Sequence, residues 1–190
     1  MKLYYLPGAC SLTSHILLRE AGSDFELARV DTKTYRTNDG EDYKKVNPLG
    51  YVPALLTDDV GLLLENGAIL PYLADRFGFA GSAGRYKLLE EIAYLSSELH
   101  KAFGPFFADP DISGDERDTA ERHLYLRLKR YDEAYAADEF DAAKAYAFVI
   151  TNWAAFAKVS LENYPAIASM RAKIQARPAV VTAMAAEGQA

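Results

Sequence analysis

Two hydrophobic periods divide the chain. Residues 2–5 form a short apolar and aromatic run ended by Pro7-Gly8, the pattern of a buried strand. Leu12, Ile16, Leu17 and Ala21 then recur at helical spacing, and Gly22 sits where a helix end favours a left-handed residue. Residues 25–30 read as a second strand. Residues 31–42 are polar, with Asn38-Asp39-Gly40 as a turn signal. A third strand is predicted over residues 51–57, interrupted by Pro53, and Asp58-Asp59-Val60-Gly61 connects it to a fourth over residues 62–64. A helix follows from Asn66 to Phe77. The predicted order is β-α-β, an irregular segment, then β-β-α.

From Arg85 onward the pattern is helical. Leu88, Ile92, Leu95 and Leu99 make one stripe, and Leu124, Leu128, Tyr131 and Tyr135 another. Residues 142–157 are apolar almost all round, which predicts a helix at the centre of a bundle. Ile167, Met170 and Ile174 follow Pro165, and Pro178 suits the first turn of a last short helix. Glycines at 78, 81 and 84 punctuate the middle. The fold class read from this is α/β plus all-α: an α/β domain over residues 1–78, a linker over 79–84 and an all-helical domain over 85–190. Asp141 is placed to cap the helix after it. Lys144, three residues on, opposes the positive end of that helix, so Lys144→Asp is expected to stabilise it.

The chain has 190 residues, enough for one large or two small domains. Its formal net charge of -6 argues against a nucleic-acid partner, which needs a cationic excess. The most apolar stretch, residues 145–157, is too short for a membrane span and carries Thr151 and Asn152. The opening seven residues are broken too soon by Pro7 to read as a secretory signal. Cys10 is the single cysteine, so no intrachain disulfide or multi-cysteine metal site is possible. A lone thiol suits a reducing, cytoplasmic setting.

Four places could carry chemistry. Cys10 precedes a helix start, where backbone N–H groups can lower a thiol pKa; a small buried apolar residue is the other reading. Pro53 inside a strand is either an edge proline with a trans bond, the commoner state, or a cis proline leaving Val52 to pair with an extended ligand. Asn66 is a good helix cap. With Glu65 for an ammonium and the helix start for a carboxylate, it would suit an amino-acid head group; a plain cap beside a solvated acid is the alternative. His100, beside Lys101 and one turn from Ser96 and Ser97, is either structural or catalytic. His15 and His123 read as surface or packing residues. No His, Asp and Glu spacing suggests a metal site, and no nucleophile elbow supports a serine triad.

In combination these residues resemble a known family. The runs MKLYYLPGACSLTSHILLREAG, VNPLGYVPALLTDD and ENGAILPYLAD look like the thioredoxin-like half of a bacterial beta-class glutathione transferase. SSELHKAFGPFF and RPAVVTAMAAEG resemble its helical half, so the similarity covers essentially the whole chain. It implies a βαβ–ββα domain followed by a helical bundle, a homodimer, glutathione as co-substrate and a small hydrophobic electrophile as its partner. It gives Cys10 the place beside the glutathione sulfur, with His100 near the thiol and tuning it. Tyr51, Val52 and a cis Pro53 would lie along the cysteinyl part, and Glu65 and Asn66 would hold the γ-glutamyl head. Ser97 and Lys101 would close the site from the helical half. Tyr35 stands where the family often has a lysine for the glycyl carboxylate, which passes that role to Lys33 or Arg36. Ala93 stands where an asparagine is common. The electrophile would meet side chains such as Phe103, Phe106, Phe107 and Trp153. Conjugation is the activity implied, with thiol exchange through Cys10 beside it. A non-catalytic glutathione- or hydrophobe-binding protein is the alternative, motivated by Tyr35 and Ala93.

Overall fold

The computed structural model describes residues 1–189. Its sheet has the order β3-β2-β1-β4-β5. Strand β1 (Lys2–Tyr5) is central and pairs in parallel with β2 (Glu26–Asp31) across helix α1 (Leu12–Glu20). On its other side β1 runs antiparallel to β4 (Ala54–Leu56), which pairs with β5 (Leu62–Leu64). Alternation along β1 sorts its side chains between two layers. Leu3 and Tyr5 join α1 and α2 (Asn66–Phe77) in the main core, whereas Tyr4 packs with Val30, Tyr43 and Ala54 on the opposite face.

Two local expectations change here. The third strand is shorter than predicted, because Pro53 has no N–H for the ladder. The polar segment contains a two-residue strand, β3 (Arg36–Thr37), paired with the end of β2, and a 3-10 turn at Tyr43–Lys45. Side chains hold this segment: Asn38 Oδ1 accepts from the Arg29 N–H at 2.8 Å and Asp31 Oδ1 from the Lys33 N–H at 2.8 Å.

The second half is helical. It comprises α3 (Arg85–Tyr94), a π turn (Leu95–Leu99), α4 (His100–Ala102), α5 (Gly104–Ala108), α6 (Gly114–Ala134), α7 (Ala142–Ala157), α8 (Pro165–Gln175) and α9 (Pro178–Ala186). The apolar circumference of α7 is buried against neighbours on several sides, as a bundle centre requires. One continuous core runs from Leu3 and Ile69 through Leu95 and Phe148 to Ile167. The arrangement is the thioredoxin-like domain plus helical domain that the resemblance implied.

The segment joining the halves is tied to the start of α7. The Phe79 carbonyl accepts from the Ala142 N–H at 3.1 Å, and the Ser82 N–H donates to Glu139 at 2.9 Å. Asp141 caps α7 as expected, accepting from the Lys144 N–H at 2.7 Å. The expectation for Lys144 is overturned. Its ammonium turns inward between Asp141 and Glu91, so it satisfies buried carboxylates rather than standing exposed against the helix dipole.

Candidate active site

The loop before α1 is held from the far end of the chain. The Trp153 indole N–H donates to the Gly8 carbonyl at 2.9 Å, and the Gly8 N–H donates to Glu187 Oε2 at 2.9 Å. The other Glu187 oxygen lies 2.8 Å from His15 Nδ1, and both side chains are fully buried. Helices α7 and α9 thereby fix the turn that presents Cys10. Of the surface and packing roles read for His15, packing holds: it is fully buried against Tyr5 and Phe25 and is also a polar partner in this clamp.

Cys10 is partly buried, and its thiol donates to the Val52 carbonyl at 3.4 Å. Burial pushes its pKa up to about 12, and the charge of Glu65 adds to the rise against the backbone N–H groups of Cys10 and Ser11. The expected lowering at a helix start does not occur, because desolvation outweighs those donors. The Val52–Pro53 bond is cis, and both residues line the same cleft as Cys10.

That cleft has a volume of about 660 Å³ and lies where the ends of β1, β2, β4 and β5 meet the helical half. Tyr51, Glu65 and Asn66 line it from the first half, and Ser96, His100 and Lys101 from the second. Asn66 does not cap α2 with its side chain. Glu65 occupies the cap position at φ 68°, a conformation that non-glycine residues adopt at a cost and that concentrates at functional sites. Asn66 instead donates to the Cys10 carbonyl at 3.3 Å, joining the two loops. Its Oδ1 is buried without a partner among the described residues, as is Ser96 Oγ. Two orphaned acceptors on one cleft wall are what a polar ligand with N–H groups would satisfy.

The π turn decides which serine faces the cleft. The His100 N–H reaches back to the Leu95 carbonyl, one residue further than in an α-helix. Ser96 therefore lines the cleft, while Ser97 donates to the Ala93 carbonyl at 2.8 Å and lines a different cavity with Glu98 and Arg127. The placement of Ser97 in this cleft is corrected to Ser96. Lys33 and Arg36 do not line this cleft: both are exposed and line an adjoining cavity of about 500 Å³ that shares Leu6 and Thr32 with it. Tyr35 supplies no cation. Its ring packs on Gly50, whose φ of 76° and missing Cβ the contact requires, and the Lys44 ammonium lies 4.1 Å from the ring centroid.

His100 Nδ1 lies 2.8 Å from the Tyr146 hydroxyl on α7, and its ring meets Trp153 edge-on at 4.8 Å. Burial, with the neighbouring charge of Lys101, holds its pKa down to about 4, so the ring is neutral near pH 7. Burial raises the Tyr146 hydroxyl pKa above its ordinary value. Tyr146 lines the cleft but escaped the sequence reading, since a tyrosine within an apolar helix carries no local mark of a site.

A second cavity, of about 770 Å³, shares Cys10 and His100 with the first. Its walls are largely apolar and aromatic. Phe107 stacks edge-on with Trp153 at 5.1 Å and lies 5.5 Å from Phe156. Of the aromatic residues expected here, Phe107 and Trp153 face the cavity, while Phe103 and Phe106 are wholly buried in the core. Among the described residues no cluster of three or more His, Cys, Asp or Glu side chains is placed to hold a metal ion.

A family profile described as "Glutathione S-transferase, N-terminal domain" matches residues 1–75. The chain is 42% identical over 200 residues to glutathione S-transferase GstA of Escherichia coli O157:H7, covering 99% of each. It belongs to the glutathione S-transferase family. The transferase is also 35% identical over 206 residues to glutathione S-transferase GST-4.5 of Xanthomonas campestris pv. campestris, again covering 99% of each. Among solved structures, a sphingomonad glutathione S-transferase complexed with glutathione superposes with a TM-score of 0.90 at 42% identity, covering 100% of both chains. A bacterial beta-class glutathione S-transferase of Sphingomonas chungbukensis gives 0.89 at 39% identity, also covering 100% of both. The beta-class resemblance read from the sequence is thus borne out across the whole transferase.

Proposed function

We propose that the protein conjugates glutathione to small hydrophobic electrophiles, a detoxifying reaction. The observation that carries this reading is the meeting of two unlike cavities at Cys10 and His100. The first brings Glu65, Asn66, Ser96 and Lys101 together on otherwise apolar walls; the second brings together Phe107, Trp153 and Phe156. A tripeptide thiol with an ammonium and two carboxylates matches the first, and an apolar acceptor the second. The solved relative complexed with glutathione supports the first assignment.

In this reading Glu65 takes the ammonium, the orphaned Asn66 and Ser96 oxygens accept from the peptide or amine, and Val52 lies along the cysteinyl backbone. Lys101 is the cationic side chain of the cleft and pairs with a carboxylate. The raised pKa of Cys10 gives it a donor's role: a neutral thiol can hydrogen-bond to the glutathione sulfur, where a second thiolate would repel it. Catalysis is then orientation of the glutathione sulfur beside the acceptor. The same raised pKa disfavours thiol exchange through Cys10, which needs a thiolate.

We further propose the domain division 1–78, 79–84 and 85–190, a two-fold homodimer and a cytoplasmic location. The exposed apolar side chains of Leu49 and Tyr51 support association, and the single free thiol supports a reducing compartment. Among the described residues no helix is long and apolar enough to cross a membrane.

Two measurements test the main reading. Glutathione at a hundredfold excess over its Kd should stabilise the fold by about 2.7 kcal/mol, read as a rise in Tm. A chloro-dinitrobenzene should be conjugated faster than without enzyme. Stabilisation without turnover of any of a panel of electrophiles would favour the non-catalytic binding protein, and the absence of both effects would overturn the transferase and glutathione-binding readings together. Sedimentation showing monomer alone at micromolar concentration would remove the dimer.

A further inference from the structure

Among the described residues Arg171 is a half-buried cation with no acid paired to it. From α8 its Nη1 donates to Asn152 Oδ1 at 2.7 Å, Thr151 Oγ1 at 2.9 Å and the Phe148 carbonyl at 3.5 Å, all neutral acceptors. The guanidinium lies 5.6 Å from the Phe148 ring centroid. Its Nε and Nη2 have no acceptor among the described residues, although the group carries five N–H donors in a fixed fork. Burial lowers its pKa from the usual arginine value, yet arginine remains protonated. Neither Nε nor Nη2 is among the buried unpartnered atoms, so the partly desolvated fork stays open to an anion supplied from outside.

The cavity it lines is the aromatic one shared with Cys10 and His100. Among its described lining residues there is no Asp or Glu, and Arg171 is the one formally charged side chain, His100 being neutral. Phe107, Trp153 and Phe156 supply flat apolar walls. Such a pocket combines apolar aromatic walls with a planar two-toothed donor, the arrangement that selects a carboxylate on an aromatic ring.

We infer that the acceptor substrate is an aromatic acid, an electrophile whose ring lies between the aromatic walls and whose carboxylate pairs with the Arg171 fork. This rests on the proposed conjugation and names its substrate class. With a halogenated aromatic acid, a bond forms between the glutathione sulfur and the ring carbon bearing the halogen. The carbon–halogen bond breaks, halide leaves with its electron pair, the thiol proton passes to solvent, and the carboxylate is unchanged. Arg171 touches the substrate away from the reacting carbon and sets specificity.

The test compares a para-chloro-dinitrobenzoate with its amide, which share ring and leaving group and differ in charge. Each enzymatic kcat/KM is divided by that compound's spontaneous rate with glutathione. The expected wild-type ratio favours the acid by on the order of tenfold, carried in KM. Arg171→Lys should keep part of that preference, and Arg171→Gln and Arg171→Met should abolish it. The ratio is insensitive to a general loss of folded enzyme, since both compounds meet the same sample. Should those variants fail to fold, wild-type enzyme decides: a nitrobenzoate should inhibit conjugation of the amide better than a nitrobenzamide does. Conjugation of both compounds with a ratio near one, or equal inhibition, overturns the aromatic-acid inference and leaves the transferase reading standing. Conjugation of neither compound, with no rise in Tm on adding glutathione, overturns both.

Discussion

Lys144 on α7 and Glu91 on α3 form an ion pair 2.6 Å long, with both side chains 7% exposed. The Tyr131 hydroxyl donates to the other Glu91 oxygen at 2.6 Å, and Asp141 stands 3.3 Å from the same ammonium. Burial nonetheless holds the Glu91 pKa above its usual range. A pair of this kind contributes little net stability when complete, but losing one partner strands the other.

Lys144→Asp therefore destabilises the protein, reversing the expectation drawn from helix-capping rules. It sets a third carboxylate between Asp141 and Glu91 with no cation, and the loss should be about 3–5 kcal/mol. Urea unfolding of the variant against wild type measures it; an unchanged or raised midpoint would refute the account.

His100 makes stability depend on pH. Its folded pKa, about 4, lies below the unfolded value of 6.5, so below that value the unfolded chain binds the extra proton. The contribution is complete above about pH 6.5, declines as pH falls toward 4, and levels off below it. Between about pH 7 and pH 5 the loss should be about 2 kcal/mol. His100→Gln should remove that increment, so unfolding midpoints of both proteins at the two pH values isolate it. Equal pH dependence in variant and wild type would show that His100 is not held neutral.

Cys10 should resist alkylation in the free enzyme. A pKa pushed up to about 12, against an ordinary value of 9.0, leaves little thiolate near pH 8. Iodoacetamide should label the native thiol slower than the unfolded one by on the order of a thousandfold, the ratio of their thiolate populations. Mass analysis of timed samples reads the rate. Comparable native and unfolded rates would mean an accessible thiolate and would return thiol exchange to consideration.

Glu187→Ala should loosen the Cys10 turn from the other end of the chain. It removes the partners of the Gly8 N–H and of His15 at once, each unsatisfied group costing about 1–3 kcal/mol. The expected result is a lower Tm together with faster labelling of Cys10. A lower Tm with unchanged labelling would confine Glu187 to general stability.

The amino-acid sequence by itself determined what depends on neighbours a few residues away. The strand period of residues 2–5, the helical stripes from Leu88 to Leu99 and the apolar circumference of α7 each commit their segment locally, and the order βαβ then ββα follows from them. Cys10, Glu65, Asn66 and His100 stood out as candidates from their neighbours and from the family resemblance, and the structure sets all four along one cleft, with Asn66 bonded to the Cys10 carbonyl rather than capping α2. Short elements were not legible: β3 has two residues and its pairing depends on β2. Only the tertiary structure decided which groups are desolvated and which meet. A π turn adds one residue and hands the cleft to Ser96 in place of Ser97. His15 and Glu187 are 172 positions apart, and Lys144 and Glu91 are 53 apart. Burial sets the direction of both pKa shifts, for Cys10 against what its place before a helix suggests and for His100 in the same sense as the neighbouring Lys101 charge. Desolvation and long-range pairing are properties of the packed chain, and no local pattern encodes them.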